Sequence, residues 1–201
     1  GTASAQGVVN WEYTITSNVV TTPGATQFIG AGPGTTNGCE LNSLSAITWG
    51  ACPIGPAGPG RSGIAITNNP QSGTLITNGG AESANTYTHS NNVVASGYAT
   101  LNSFVISSTL GLRVAGSSDP FVYSTLLYQV KFVETPNTAG TCVVNDGADP
   151  CSDIWVLDGS LNNTVTFDGN DYLFSFYAEP ALSPLSDDAC AAAGADPGCI
   201  G

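Results

Sequence analysis

Charge is scarce in this chain of 201 residues, and positive charge is scarcer still. Lys131, Arg61 and Arg113 are the whole basic complement against fifteen Asp and Glu, for a formal net charge of -12. Charged residues make up 9% of the chain, where a soluble protein usually carries roughly 25%. Nucleic acid is excluded as a partner, because phosphate neutralisation needs clustered Lys and Arg. Docking on anionic lipid fails for the same reason. No apolar run approaches the ~20 residues that span a bilayer, so membrane insertion is not expected. No basic segment followed by an apolar one opens the chain, as expected where an export signal has been removed. Methionine is absent, and His89 is the single histidine. With one histidine and no C-x-x-C, a Cys/His zinc knuckle cannot be assembled.

What the chain has instead is cysteine and β-forming sequence. The six cysteines fall into three close sequential pairs, Cys39/Cys52, Cys142/Cys151 and Cys190/Cys199. Fifteen connectivities are open to six cysteines, and pairing each with its neighbour is the expectation, since every pair brackets a turn-rich segment. Such disulfides place the protein outside the cytoplasm, secreted or at the cell surface. Period-two alternation dominates elsewhere. In residues 9–15, Val9, Trp11, Tyr13 and Ile15 share one face; in 121–133, Val122, Leu126, Tyr128, Val130 and Phe132 do. Residues 46–49, 73–76, 86–88, 101–106, 154–157, 164–167 and 172–177 also read as strands, the last buried on both sides. Residues 50–63 (GACPIGPAGPGRSG) read as a loop, and only 187–193 resembles a helical turn. The expectation is an all-β fold: a single β-sandwich or jelly-roll-like domain over residues 10–180, with disulfide-closed loops. Residues 1–9 precede it as a candidate donor strand, and an acidic, disulfide-closed tail (181–201) follows.

Material for catalysis is thin. A nucleophile system would have to use His89, and no G-x-S-x-G elbow exists to partner it. Glu12, Glu134 and Glu179 are the carboxylates a glycoside hydrolase would draw on, though no motif groups them. The chain is therefore read as no enzyme, with no cofactor required. Asp146, Asp149 and Asp153 crowd the segment closed by Cys142 and Cys151, and they are candidate oxygen ligands for calcium. Trp11, Trp49 and Trp155 would be the stacking platforms of a carbohydrate-binding module, although all three lie in strand-like segments. Asn162 begins an N-x-[ST] sequon, a candidate glycosylation site.

Several local motifs then align: ITWG at 47–50, RSGI at 61–64, YTHSNN at 87–92, FVETPN at 132–137, CSDI at 151–154 and a closing FDGNDYLFSFY at 167–177. In this order they resemble the THxN family of exported bacterial proteins, often found with PEP-CTERM sorting tails. These residues hold no Pro-Glu-Pro-like motif with an apolar span and a basic end, so a PEP-CTERM anchor is not expected. The resemblance implies a secreted or surface β-sandwich of biofilm-forming bacteria, associated with exopolysaccharide, with no catalytic residues to transfer. It marks Thr88, His89 and Asn91, with Glu134, Asn137 and Asp153 from the later motifs, as a conformational device. The functional expectation is a non-enzymatic structural protein: a subunit of a cell-surface or extracellular-matrix filament that assembles with copies of itself by β-strand addition. Ala3 to Val9, free of charge and proline, suits that role. The alternative is a secreted exopolysaccharide-binding β-sandwich, with a glycoside hydrolase behind it.

Overall fold

The computed structural model describes residues 6–30, 38–137, 142, 144 and 151–201. The described chain runs β1 (Asn10–Val19), β2 (Gln27–Ile29), β3 (Leu41–Asn42), β4 (Ala46–Gly50), β5 (Arg61–Thr67), β6 (Gln71–Ile76) and β7 (Thr86–Ser90). It continues with β8 (Thr100–Val114), β9 (Val122–Val133), β10 (Ile154–Asp158), β11 (Asn162–Phe167), β12 (Asn170–Ser175) and α1 (Asp187–Ala192). The protein is all-β and antiparallel. Sheet A has the order β10-β9-β8-β1-β6, with β2 added to β8; sheet B has the order β3-β4-β5-β7; β11 and β12 form a separate hairpin.

Alternation along β1 builds the core. Trp11, Tyr13, Ile15, Ser17 and Val19 are buried, and the intervening residues are half-buried on the other face. Sheet B covers one half of this inner face, where Val19, Phe104, Ile106, Val130 and Phe132 meet Ile47, Trp49, Ile64 and Ile66. The β11–β12 hairpin covers the other half, packing Val165, Phe167, Tyr172 and Phe174 around Trp11. Where the two cores meet, the buried Ser17 and Ser108 hydroxyls pair at 2.7 Å across β1 and β8. The layered arrangement is the expected β-sandwich, with the hairpin as an added lid.

Three sequence expectations are corrected. The 50–63 segment is not a loop to its end: β5 starts at Arg61 and lies at the centre of sheet B. Period two is hidden there because both faces are buried, the inner by Ser62, Ile64 and Ile66 and the outer by the folded-back 51–60 loop. Gly63 is required by that cover, since a Cβ there would lie 2.9 Å from Thr48 Cγ2 and 3.1 Å from Ala57 Cβ. Second, the 172–177 segment is buried on one side only: Tyr172 and Phe174 face Trp11, whereas Leu173 and Tyr177 are exposed. Third, Trp11 and Trp49 are sealed in the two cores and Trp155 packs edge-on against Phe104, so the tryptophans form no stacking platform.

The C-terminal tail wraps sheet A. Ser186 caps α1, accepting from Ala189 N at 3.2 Å, with Asp187 and Asp188 in the first turn. Ala189, Leu185 and Ala193 pack on Val133, Ile154 and Val156, on the sheet face opposite the sandwich core. The chain end then returns to the outer edge of β10, where Leu157 N donates to Ile200 O at 3.0 Å. No described helix is long and apolar enough to cross a membrane.

Candidate functional site

His89 lies on β7, opposite Ile64 in the register of β5, so its side chain turns inward with that of Tyr87. The imidazole is near-parallel to the Trp49 ring at 6.4 Å and edge-on to Phe132 at 5.1 Å. Its Nε2 approaches Asp153 Oδ2 at 3.4 Å, and the aspartate side chain is only 4% exposed. Asp153 Oδ1 accepts from Thr135 N at 2.8 Å and from the Thr135 hydroxyl at 3.2 Å. The adjoining residue, Glu134, accepts the Trp49 indole N–H on Oε2 at 2.8 Å. The cluster therefore joins β4 and β7 of sheet B to the ends of β9 and β10 in sheet A.

Its electrostatics favour neutral forms. Burial pushes the Glu134 carboxyl up to about 7, and the Asp153 charge adds to the shift against stabilising contacts from Trp49, Ser62 and Asn137. Burial also raises Asp153, opposed by its Thr135 hydrogen bonds and by His89. Desolvation lowers His89 below the usual imidazole value, with Asp153 pulling the other way. Chemically this is a proton-holding polar clamp between two sheets. Neither of two surface grooves among the described residues is lined by its members.

The structure thus brings together His89, Glu134, Asn137 and Asp153 from the motif residues. Thr88 faces outward on β7 and Asn91 is exposed beyond it. The neighbouring Asn92 does the tying instead: its Nδ2 donates to Arg61 O at 3.0 Å, and its backbone exchanges two hydrogen bonds with the Ser62 hydroxyl. Sequence reading missed Asn92, Thr135 and the Trp49–Glu134 bond. The ITWG and FVETPN segments held both partners of that bond, but nothing local links positions 85 residues apart.

The remaining candidates separate. Glu12 faces outward and pairs with Arg113 at 2.6 Å, Glu134 faces inward, and Glu179 is exposed after β12. The hydrolase carboxylates are therefore not gathered around one cleft. Asp146 and Asp149 lie outside the described residues. Asp153 is engaged as above, and no group of three His, Cys, Asp or Glu among the described residues is placed to hold a metal. Asn162 is exposed at the start of β11. The disulfides join Cys39–Cys52, Cys142–Cys151 and Cys190–Cys199, with Cα separations of 5.3, 5.3 and 5.8 Å. The first works with Arg61, which is 6% exposed and donates to the carbonyls of Cys39, Ala51 and Gly55 and to the Thr48 hydroxyl.

Sheet A has two edges of different character. The β10 edge is covered by the returning C-terminus. The β6 edge (QSGTLI) pairs only with β1 among the described residues, and Ser72, Gly73, Thr74 and Ile76 are exposed along it. Beside it, Val8 and Val9 are held by their own domain: Val8 N donates to the Tyr172 hydroxyl, and Thr77 donates to both Val8 O and Val9 O, each at 2.7 Å. Residues 1–5 lie outside the described residues. The chain matches no protein-family model and no curated protein. The THxN resemblance accordingly rests on its motif segments alone.

Proposed function

We propose that this is an exported, non-enzymatic structural protein that assembles with copies of itself by β-strand addition, with β6 as the acceptor edge. The observation that carries the reading is the chemistry of that edge. Natural sheets blunt their edges with lysine, proline, bulges or covering segments, because an open row of N–H and C=O groups recruits other chains. Here β6 has no charge and no proline within it, and its pairing with β1 runs without a register shift. The opposite edge of the same sheet is covered. One protected and one open edge is the polarity that head-to-tail assembly requires, and a contact that does not close on itself gives a filament.

The donor in this reading is the stretch that precedes Val8 in sequence, and Val8 itself lies beside the end of β6 through Thr77. Disulfides and scarce Lys and Arg suit a polymer exposed to oxidant and trypsin-like protease outside the cell. The Ser72→Lys/Thr74→Lys double variant tests the edge, since both side chains are exposed and the added charge costs the fold little. Size-exclusion chromatography should show oligomers for the parent chain and a ~20 kDa species for the variant, with melting temperatures alike. A parent chain that stays monomeric at millimolar concentration, or a variant that assembles equally well, would sink the proposal.

A further inference from the structure

The sheet A face opposite the core is only partly covered. The C-terminal tail lies over β9 and β10 at Val133, Ile154 and Val156, and its 191–194 stretch reaches a groove beside Asn102 and Gln129. The rest of the face, read from the strand register, is a grid of small hydroxyl and amide side chains. Thr16, Thr109 and Thr125 form one row across β1, β8 and β9, and the last two share a hydrogen bond at 2.9 Å. Asn18, Ser107 and Leu127 form the next, and Val105 with Gln129 the one beyond.

The two ends of the face are specialised. At one, the row Thr14, Gly111, Tyr123 carries an aromatic ring that is 63% exposed yet lies down on the sheet. Gly111 makes this posture possible: a Cβ there would fall 2.7 Å from Tyr123 Cε1. At the other end, Gln27, Asn102, Gln129 and Lys131 line a groove walled by the end of α1. Lys131 is held in place by Gly194 O at 2.7 Å and by Asp158 at 3.9 Å. On β9, Tyr123 and Gln129 are six residues apart on the same face, about 20 Å.

We propose that this face binds a neutral polysaccharide chain, with Tyr123 as the stacking platform and the Gln27–Asn102–Gln129–Lys131 groove as the polar subsite. The chemistry selects the occupant. Hydroxyls and carboxamides both donate and accept, which matches a ligand made of hydroxyls. A flat, exposed ring against a polar field matches the apolar C–H face of a pyranose. Charge argues the same way: on a molecule of net charge -12, Glu12 on this face is neutralised by Arg113, and Lys131 lies beside Asp158. A polyanion would meet the negative field of the molecule, and a neutral glycan meets none. A protein partner would call for an apolar centre, and between Tyr123 and Gln129 these rows offer only Leu127 and Val105 among hydroxyls and amides. The proposal does not depend on strand addition.

The test is affinity electrophoresis of the purified full chain through gels containing neutral glycans (glucan, xylan, mannan, with sedimentation onto insoluble cellulose and chitin), and alginate as the anionic control. Retardation by at least one neutral glycan and none by alginate is expected. Tyr123→Ala and Gln129→Ala should each weaken it tenfold or more at unchanged melting temperature. Tyr177→Ala, at an aromatic 78% exposed elsewhere, should leave it unchanged. The parent chain diluted to monomer should still bind, separating this proposal from assembly. No retardation by any neutral glycan, equal binding by Tyr123→Ala, or equal loss in Tyr177→Ala would overturn it.

Discussion

Glu134 departs strongly from its exposed counterpart. Its folded carboxyl holds a proton up to about pH 7, whereas the unfolded chain releases one near 4.5. Between those values the folded state binds more protons, so this group's contribution to stability is full below about 4.5 and is lost as pH rises through about 7. His89 runs in the opposite sense: its folded value is lowered, so stability falls as acid protonates the unfolded imidazole below about 6.5. Glu134→Gln keeps an acceptor for the Trp49 indole and fixes the neutral form. It should match the parent near pH 4.5 and melt a few degrees higher at pH 8, each kcal/mol being worth about 2–4 °C in a chain of this size. A constant offset across that range in calorimetry would contradict the assignment. The two outlying arginines make a second residue-scale contrast. Arg61→Met strands three carbonyls under the 51–60 loop and should cost about 3 kcal/mol in urea unfolding. Arg113→Met breaks a solvent-screened surface pair with Glu12 and should cost far less. Equal losses would show that the buried fan is not what holds the loop.

Among the elements, the β11–β12 hairpin has the clearest separate task. It closes the half of sheet A that sheet B does not reach, placing Phe167 and Tyr172 edge-on to Trp11 at 5.2 and 4.9 Å. Tyr172→Ala removes one wall and the acceptor for Val8 N, so it should lower stability by about 2 kcal/mol and raise iodide quenching of tryptophan fluorescence. Unchanged quenching would mean the hairpin is not the seal. Element by element, the strands with one buried face were legible: β1 and β9 show period two because alternate residues meet core and solvent. β5 was not, because Arg61 and Gly63 look like loop chemistry until the loop that covers them is seen. Asn91 and Asn92 illustrate the same limit at the site, where a motif names a neighbourhood but only the strand register decides which amide reaches Ser62. His89 and Asp153 carried a motif signal; their meeting depends on β7 and β10 belonging to different sheets brought together by the core.

Across the whole molecule, polarity is organised by place. The cations are committed to local partners: Arg61 to loop carbonyls, Arg113 to Glu12, Lys131 to Gly194 and Asp158. The polar clamp joins the two sheets at His89, Glu134 and Asp153, with His89 still partly open to solvent, and the surfaces proposed for other molecules are the β6 edge and the hydroxyl-rich face beside it. In a polymer extended through β6 that face would recur along the fibre, so many weak glycan contacts would add as avidity. The account stands or falls on the edge. Amide hydrogen exchange, followed by mass spectrometry in dilute and in concentrated protein, reads it directly. If β6 accepts a neighbour's strand, amides of residues 71–76 become strongly protected on concentration while those of β7 keep their dilute rates. If residues 71–76 exchange equally fast in both samples, the edge is not used and assembly by strand addition at β6 is wrong.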